Sequence, residues 1–318
     1  MANYLVTGGC GFIGSHLIDS LVEEGHTVRI LDNLSTGKRE NIQHECEVIV
    51  GDVGDSELVA LSMKGMDGCF HLAAIASVQQ SNEDWIGTHK VNLTGTINVL
   101  DAARHKKIPV VYASSAAVYG DNADMPLKEQ AELRPLTAYG ADKLGSELHA
   151  RVASLVHGVP TVGLRFFNVY GPRQNPSSPY SGVISIFIKR LIERKSIVIF
   201  GDGEQTRDFV YVGDVARALR SAMLNAGSVP AVFNVCTGNS VSINKLVKVI
   251  LSLNGLTVPV VYKKTRKGDI RVSIGDPTRT NRVLGVSAKI KLAEGLGKLL
   301  NHIKSNDQSE RVLIQNSG

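Results

Sequence analysis

A glycine-rich turn near the N-terminus constrains the fold of this chain more than any other feature. Residues 4–6 form an apolar run, residues 15–24 have the pattern of a helix, and residues 27–31 form a second apolar run that stops at Asp32. Between the first run and the helix lie three glycines at a spacing of three: Gly8, Gly11 and Gly14. Strand, glycine turn, helix, strand and acid follow one another in the order of a dinucleotide-binding βαβ unit.

Each part of this stretch has a physical task in binding a dinucleotide. Glycines let backbone N–H groups approach a pyrophosphate, which then lies at the positive end of the helix. The carboxylate of Asp32, about twenty residues past the glycines, is placed to accept hydrogen bonds from an adenosine ribose. A glycine turn alone is common in ordinary loops, but here the strand and the helix are both present. The sequence therefore predicts a dinucleotide site in its N-terminal part.

Composition and charge exclude several classes of protein. The chain has 318 residues, of which 43% are hydrophobic and 20% charged, as in an ordinary globular protein with one two-lobed unit or two domains. A net charge of +5 helps to attract an anionic substrate but is too small and dispersed to indicate nucleic-acid binding. The four cysteines show no paired spacing, so we expect no metal site. We find no signal peptide and no apolar run long enough to span a bilayer, and we expect a cytoplasmic protein without a membrane partner.

Apolar runs continue to alternate with helix-like segments up to residue 167. This alternation predicts an α/β fold: a Rossmann-type, doubly wound parallel sheet over residues 1–167. Ligands bind outside the carboxyl ends of such strands. Polar or small residues stand at the predicted ends: Asp32, Asp52, Ala73, Ala74, Ser114, Ser115 and Asn168.

The second half is less regular. The pattern of residues 168–318 predicts mainly a smaller lobe of mixed α/β structure that binds the substrate. The chain is expected to return to the first domain at about 208–236, and a polar tail after about residue 304 is expected to be loose.

A tyrosine and a lysine in one predicted helix are the first candidates for chemistry. Tyr139 and Lys143 are four residues apart and so lie on one helix face. A free tyrosine has a pKa near 10, and a nearby cation favours its phenolate, which can then exchange a proton with a substrate hydroxyl. Such pairs also occur by chance, but this one follows a dinucleotide fold and the hydroxyls of Ser114 and Ser115 precede it.

These motifs together resemble the extended short-chain dehydrogenases that act on nucleotide sugars. The resemblance runs in register from the N-terminus to about residue 285. It rests on these motifs: Gly8-x-x-Gly11-x-x-Gly14, Asp32, Asp52-Val53, His71 to Ala74, Ser114 to Gly120, Tyr139-x-x-x-Lys143 and Arg165 to Pro172.

The resemblance implies a role for each matching residue. As catalytic residues it implies Ser115, Tyr139 and Lys143, with Ser114 as the second serine to test. Lys143 also binds the nicotinamide ribose in that family and lowers the pKa of the tyrosine. The implied NAD-binding residues are Gly8, Gly11, Phe12, Ile13, Gly14, Asp32, Asn33, Asp52, Val53, Ala73, Ala74, Asn92, Ser114, Tyr139 and Lys143. The implied substrate-binding residues are Ser77, Ser115, Tyr139, Asn168, Phe200, Arg207, Arg266 and Ser273.

The segment after Ser115 narrows the reaction. The related 4,6-dehydratases carry an Asp-Glu pair there and the decarboxylases a glutamate, whereas this chain has Ala116 and Ala117. Chemistry at C4 alone remains: an epimerase, or a C4 reductase or dehydrogenase. Asn168 favours 4-epimerases over glucuronate epimerases, which tend to carry threonine. A non-catalytic NAD-binding protein is the remote alternative.

Two arginines are predicted to clamp the diphosphate of the substrate. Arg207 and Arg266 match the family's phosphate-binding positions, and the fork of arginine suits phosphate. The alternatives are a surface ion pair of Arg207 with Asp208 and a solvated loop around Arg266. Seven residues past Arg266, where epimerases specific for glucose carry a tyrosine, stands Ser273. A small side chain there leaves room for an N-acetyl group, unless it is merely a small strand residue.

The resemblance implies C4 epimerisation of a UDP-hexose, in particular UDP-GlcNAc and UDP-GalNAc, with tightly held NAD. Asp32 favours NAD over NADP because a carboxylate repels a 2′-phosphate, although Lys38 and Arg39 stand nearby. Relatives dimerise through two helices, here 83–105 and 136–156, so we expect a homodimer. The apolar spacing on these helices equally suits packing on the sheet.

Overall fold

A seven-stranded parallel sheet forms the centre of the computed structural model of this chain. The structure describes residues 1–175, 182–265 and 270–315, with side chains up to residue 305. Its strands are β1 (Asn3–Thr7), β2 (Thr27–Asp32), β3 (Glu47–Val50), β4 (Gly68–His71), β5 (Val110–Ser115), β6 (Thr161–Phe166), β7 (Asn168–Tyr170), β8 (Ile197–Phe200), β9 (Thr206–Tyr211), β10 (Ala231–Val235), β11 (Ser240–Ser242) and β12 (Val260–Lys263). Its helices are α1 (Phe12–Glu23), α2 (Ser56–Met63), α3 (Val78–Glu83), α4 (Trp85–His89), α5 (Gly95–Arg104), α6 (Ala138–His157), α7 (Val183–Ile192), α8 (Val212–Leu224), α9 (Ile243–Asn254), α10 (Thr278–Leu284) and α11 (Leu292–Gln315).

The order of the main sheet is β10-β6-β5-β4-β1-β2-β3, and every neighbouring pair is parallel. Its central strands are buried on both faces because helices cover both, so they read as continuous apolar runs. Leu17 of α1 and Leu219 of α8 belong to the core on one face, and Val59 of α2 and Ala150 of α6 to the core on the other. The predicted doubly wound α/β fold is confirmed.

The smaller lobe has its own sheets and core. One sheet has the order β11-β9-β7 and the other pairs β12 with β8. Its core contains residues of α7, α9 and α11, for example Ile188, Leu246 and Leu299. The chain returns to the main sheet at β10, which lies parallel to β6.

The long helix expected over 83–105 begins at Trp85 and continues without interruption to Arg104, with one π-helical turn in it. Asp84 leaves helical geometry at φ −122°, ψ 76°, and its carboxylate accepts a hydrogen bond from Gly87 N, which makes it the N-cap of α4. Aspartate is a favoured N-cap because it satisfies a free N–H of the first turn. A π-helical turn over Lys90–Thr94 then joins α4 to α5.

The last helix extends beyond residue 304, where the sequence predicted a loose tail. The backbone remains helical to Gln315. Residues 305–315 contain no glycine or proline, which are the residues that most disfavour a helix. Among the described helices, none is long and apolar enough to cross a membrane.

Candidate active site

The glycine turn packs so closely that side chains would not fit in it. Gly8 has φ +69°, and a Cβ on it would lie 2.7 Å from Ala73 N. A Cβ on Gly14 would lie 2.3 Å from Gly8 O. Helix α1 begins directly after the turn, and its N-cap, Gly11, supplies no side-chain hydrogen bond. The first N–H groups of the helix therefore face the carboxyl edge of the sheet, as an anion site requires.

Asp32 ends β2 at the same edge and is tied to the glycine turn. Its carboxylate accepts hydrogen bonds from Cys10 N and Leu34 N, both at 2.9 Å. Burial raises the pKa of Asp32, and these two backbone bonds oppose the rise. The acid is thus held in a fixed position beside the turn.

The predicted neighbours of Asp32 form one group beyond β3. The side chain of Asn33 donates to Asp52 at 2.8 Å, and Asp52 also accepts from Gly54 N at 2.7 Å. Val53 is only 4% exposed and belongs to the core. Phe12 and Ile13, in the first turn of α1, are both half-buried.

Asn92 lies behind the predicted cofactor loop. It is 1% exposed, and its amide forms two hydrogen bonds with the backbone of Ile75: Ile75 N donates to Oδ1 at 2.8 Å and Nδ2 donates to Ile75 O at 3.1 Å. This clamp fixes the segment that follows Ala73 and Ala74. Ser77, 9% exposed, ends the segment as the N-cap of α3 and accepts from Gln80 N.

Ser115, Tyr139 and Lys143 meet at the end of β5. The hydroxyl of Ser115 lies close enough to the phenol of Tyr139 to lower its pKa, and the ammonium of Lys143 lies 5.8 Å from the centre of the tyrosine ring. Lys143 is 2% exposed and donates to Ala113 O at 2.9 Å. The structure therefore brings together the three residues that the sequence predicted to be catalytic.

The proton affinities at this cluster differ from the sequence-based expectation. Burial raises the pKa of Tyr139, and the nearby hydroxyl of Ser115 opposes the rise. Burial lowers the pKa of Lys143 to about 8, against a smaller opposite effect of Asp142. Because the ammonium is directed to Ala113 O, Ser115 rather than Lys143 is the neighbour that lowers the pKa of the tyrosine in this arrangement.

The two serines at the end of β5 have different partners. Ser114 is 1% exposed and donates to Glu147 Oε1 at 2.5 Å. Ser115 accepts from Ala117 N at 3.1 Å and contacts Tyr139. The geometry thus favours Ser115 as the hydroxyl that can reach a substrate, and it leaves Ser114 only its backbone for a contact with a cofactor.

The other predicted substrate residues follow β6 in the chain. Asn168 is exposed at the start of β7, directly after β6, and Phe200 is half-buried at the end of β8. Arg207 lies on β9, where its guanidinium donates to Ile270 O at 2.7 Å and to Thr206 O at 2.9 Å.

Ser273 lies beside Arg207, because its N–H donates to Thr206 O at 3.2 Å. Asp208, the alternative partner for Arg207, is 0% exposed and accepts from Thr237 and from Gly238 N. Because Asp208 is buried and bonded to these two residues, a surface ion pair between Arg207 and Asp208 is disfavoured. Arg266 lies outside the described residues.

Sequence reasoning missed the residues that support this cluster. Glu147 and Arg165 form a bidentate pair behind Ser114, with bonds of 2.7 and 2.8 Å. The four-residue spacing from Tyr139 through Lys143 to Glu147 is a signal that could have found the glutamate. Ser81, whose hydroxyl accepts from Tyr139 N at 3.2 Å, has no signal in the sequence.

The residues present fit NAD. The close-packed glycine turn, the uncapped start of α1 and the fixed carboxylate of Asp32 supply a place for the pyrophosphate and the adenosine ribose. The described residues contain no group of three or more histidine, cysteine or acidic side chains that could hold a metal ion.

A dinucleotide-binding sheet with a Tyr-x-x-x-Lys helix and a second lobe after β6 defines a short-chain dehydrogenase type of protein. Residues 4–236 match the NAD dependent epimerase/dehydratase family, and the chain belongs to this family. The predicted resemblance and the NAD cofactor are confirmed at this level.

Two relatives match nearly the whole chain. A UDP-glucose 4-epimerase of Mycolicibacterium smegmatis is 36% identical over 312 residues, which cover 96% of this chain and 99% of that protein. The solved structure of UDP-N-acetylglucosamine 4-epimerase from Methanobrevibacter ruminantium M1, in complex with UDP-N-acetylmuramic acid, matches with a TM-score of 0.92 and 36% identity. The match covers 96% of this chain and 99% of that one. A UDP-N-acetyl-alpha-D-glucosaminuronate decarboxylase of Bacillus cytotoxicus is 36% identical over 231 residues, 69% of this chain and 70% of that protein. An epimerase and a decarboxylase are thus equally identical to this chain, so sequence identity does not decide the reaction and the residues of the site must.

Proposed function

We propose that this protein is an NAD-dependent UDP-hexose 4-epimerase. The observation that carries the proposal is the Ser115–Tyr139–Lys143 cluster at the carboxyl edge of the sheet, followed by a segment without an acid. Residues Ala116–Val118 form a short 3₁₀ turn directly after Ser115. A dehydratase or decarboxylase of this family would need a carboxylate there, and alanine can neither donate nor accept a proton.

The proposed roles follow from the contacts of each side chain. Tyr139 removes the proton from the sugar O4 and later returns it. The hydroxyl of Ser115 lies near the phenol and hydrogen-bonds the same sugar oxygen. Lys143 holds a positive charge beside the ring. Bound NAD supplies a hydride acceptor and donor for the sugar C4, and a 4-keto sugar that turns in the pocket gives the opposite epimer.

The central experiment is incubation of the purified protein with UDP-GlcNAc, UDP-glucose and UDP-glucuronate, followed by separation of the C4 epimers. We expect epimers without a net change in the NADH absorbance band and without added cofactor. Net formation of NADH would instead identify a C4 dehydrogenase, and consumption of added NADH with a 4-keto sugar a reductase. Turnover of UDP-glucuronate alone would identify a glucuronate epimerase.

Tyr139→Phe is the matched catalytic test. It removes only the phenol oxygen, so we expect turnover to fall by roughly 10²- to 10⁴-fold while UDP-sugar binding is kept. Tyr4→Phe, a change at a tyrosine of the first strand, is the control and should leave turnover intact. Wild-type rates in Tyr139→Phe would overturn the assignment, and an inactive wild type with bound NAD would favour a non-catalytic protein.

We further propose that N-acetylated UDP-hexoses are the preferred substrates. Ser273 is half-buried next to Arg207, so its small side chain lies near the proposed diphosphate clamp. Ser273→Tyr should reduce turnover of UDP-GlcNAc and leave that of UDP-glucose, whereas Ser273→Ala should keep both. An equal loss of both substrates in Ser273→Tyr would contradict the proposal.

We also propose that the protein is a homodimer, as the sequence predicts. Two apolar residues of α6 on the predicted contact face do not pack on the sheet as the alternative required: Leu148 is 58% exposed and Val152 51%. Trp85 of α4 is 66% exposed as well. The cytoplasmic location stays a prediction from the sequence.

A further inference from the structure

Helix α6 is attached to the end of β5 by one stripe of side chains. Tyr139, Lys143 and Glu147 follow one another at a spacing of four and therefore lie on the same face. Tyr139 meets Ser115, Lys143 donates to Ala113 O, and Glu147 accepts from Ser114. Two of these three residues are proposed to act on the substrate or the cofactor. The third, Glu147, is 7% exposed, has no assigned role and lies one helical turn further on.

Glu147 is itself held by Arg165 of β6. Arg165 Nε donates to Glu147 Oε1 at 2.8 Å and Nη2 to Oε2 at 2.7 Å, and the side chains are 4% and 6% exposed. Charge-assisted bidentate bonds of this kind fix both distance and orientation. Because Arg165 lies opposite Ser114 in the register of β5 and β6, the pair joins α6 to two neighbouring strands.

The same arginine reaches toward the smaller lobe. Its Nη1 donates to Tyr119 OH at 2.8 Å and to Glu129 O at 3.0 Å. Near Glu129, Leu127 N donates to Ile274 O at 2.9 Å, which anchors the segment next to Ser273. One buried network thus connects the catalytic helix, the end of β5 and a predicted substrate segment.

We propose that Glu147, clamped by Arg165, is a positioning residue that sets Ser115 opposite Tyr139. Side chains alternate across a strand, so holding Ser114 on one face directs the Cα–Cβ bond of Ser115 to the other, where its hydroxyl accepts from Ala117 N. The network does not touch the substrate; it holds the two hydroxyls that do. The kinetic part of this inference rests on the proposed function.

The test is a double variant, Glu147→Leu with Arg165→Met, because replacing a buried ion pair by apolar residues of similar volume commonly preserves folding. Glu147→Gln alone is the second variant. It leaves the buried guanidinium of Arg165 without a charged partner and should destabilise the fold more than the double variant does. We expect the double variant to keep its thermal transition while kcat falls by roughly 10- to 100-fold and KM changes little, since a small misplacement of catalytic groups has this effect. We also expect the acid limb of the kcat–pH profile to move to higher pH, because Tyr139 loses the contact with Ser115 that opposes the rise of its pKa.

A readout without turnover separates this inference from the proposed function. In protein labelled with ¹³C at the tyrosine Cζ, the Tyr139 signal is assigned from its loss in Tyr139→Phe and then titrated. The Tyr139 pKa should be higher in the double variant than in the wild type. If the wild type epimerises no UDP-hexose but this pKa still moves, the proposed function fails and the positioning role stands.

The matched control is the pair Asp214–Arg217, which lies on α8. The Asp214 carboxylate is 4% exposed and also accepts from the N–H groups of Lys289 and Ile290. Asp214→Asn with Arg217→Met should leave kcat and the Tyr139 pKa unchanged even if the melting temperature falls. A folded Glu147/Arg165 double variant with wild-type kcat and an unchanged Tyr139 pKa would overturn the inference.

Discussion

Lys143 is the residue whose environment most constrains the chemistry. Lys143 is 2% exposed, and its ammonium donates a hydrogen bond to Ala113 O. Burial disfavours the charged form, and for that reason the pKa of Lys143 falls from 10.5 to about 8. A lysine that remains mostly protonated near neutral pH can still supply positive charge beside Tyr139, but burying this charge lowers the free energy of unfolding.

This environment predicts a specific pH dependence of stability. The folded protein binds fewer protons than the unfolded chain between about pH 8 and 10.5, so the free energy of unfolding contributed by Lys143 rises as the pH rises through this window. In Lys143→Met that rise is absent. We expect the difference in unfolding free energy between variant and wild type to change by about 2 to 3 kcal/mol between pH 7 and 10, measured by chemical denaturation.

The control for this prediction is Lys298→Met. The Lys298 side chain is 49% exposed and forms a surface pair with Glu294. Its removal should give a difference that stays nearly flat over the same range of pH. A flat difference for Lys143→Met as well would show that the ammonium is not held in a low-dielectric environment.

At the scale of the element, the junction of β1 and α1 decides where a cofactor can lie. Gly8 touches the backbone at Ala73, so the glycine turn and the segment after β4 form one surface. Asn92 holds that segment from behind through Ile75. The proposed cofactor site is thus made by contacts between loops of several strands rather than by the glycine turn alone.

Gly8→Ala tests this junction against Gly25→Ala. Both glycines have positive φ, +69° and +80°, but a Cβ on Gly25 meets nothing within 4 Å. Both variants should therefore lose about 1 kcal/mol from backbone strain. Only Gly8→Ala should also push the Ala73 segment away and lower NAD affinity, measured by calorimetry and by the NAD content of the purified protein. Equal NAD affinities in the two variants would contradict the role of this contact.

At the scale of the whole molecule, one face of α6 exposes a group of apolar side chains that no other described part of the chain covers. Leu148, Val152 and Leu155 share this face and are each more than half exposed. Apolar patches of this kind commonly mark a contact with another protein chain. The proposed homodimer would cover them.

Leu148→Glu with Val152→Glu should therefore convert a dimer into a monomer, because two buried carboxylates in an apolar contact are strongly unfavourable. Leu224→Glu is the control, since this leucine of α8 is 83% exposed and lies on a different helix. Sedimentation velocity measures the outcome. A monomeric wild type, or a dimer that persists in the double variant, would exclude this face as the contact.

The local motifs were predictable from the sequence because each depends on residues close in the chain. The alternation of strands and helices gave the sheet, and the return of the chain at β10 followed from one more apolar run. The start of the long helix at Trp85 was predicted only to within two residues, because it depends on the cap that Asp84 makes with Gly87 N.

What the sequence by itself determined is the class of fold, the dinucleotide turn and the types of residue available for proton transfer. These follow from short-range patterns of glycine, apolar residues and the Tyr-x-x-x-Lys spacing. Only the tertiary structure decided which serine faces Tyr139, which partner lowers the tyrosine pKa and which buried pair holds them. Burial and hydrogen bonds between residues far apart in the chain, such as Ser114 with Glu147 and Arg165 with Tyr119, exist only once the strands are in register.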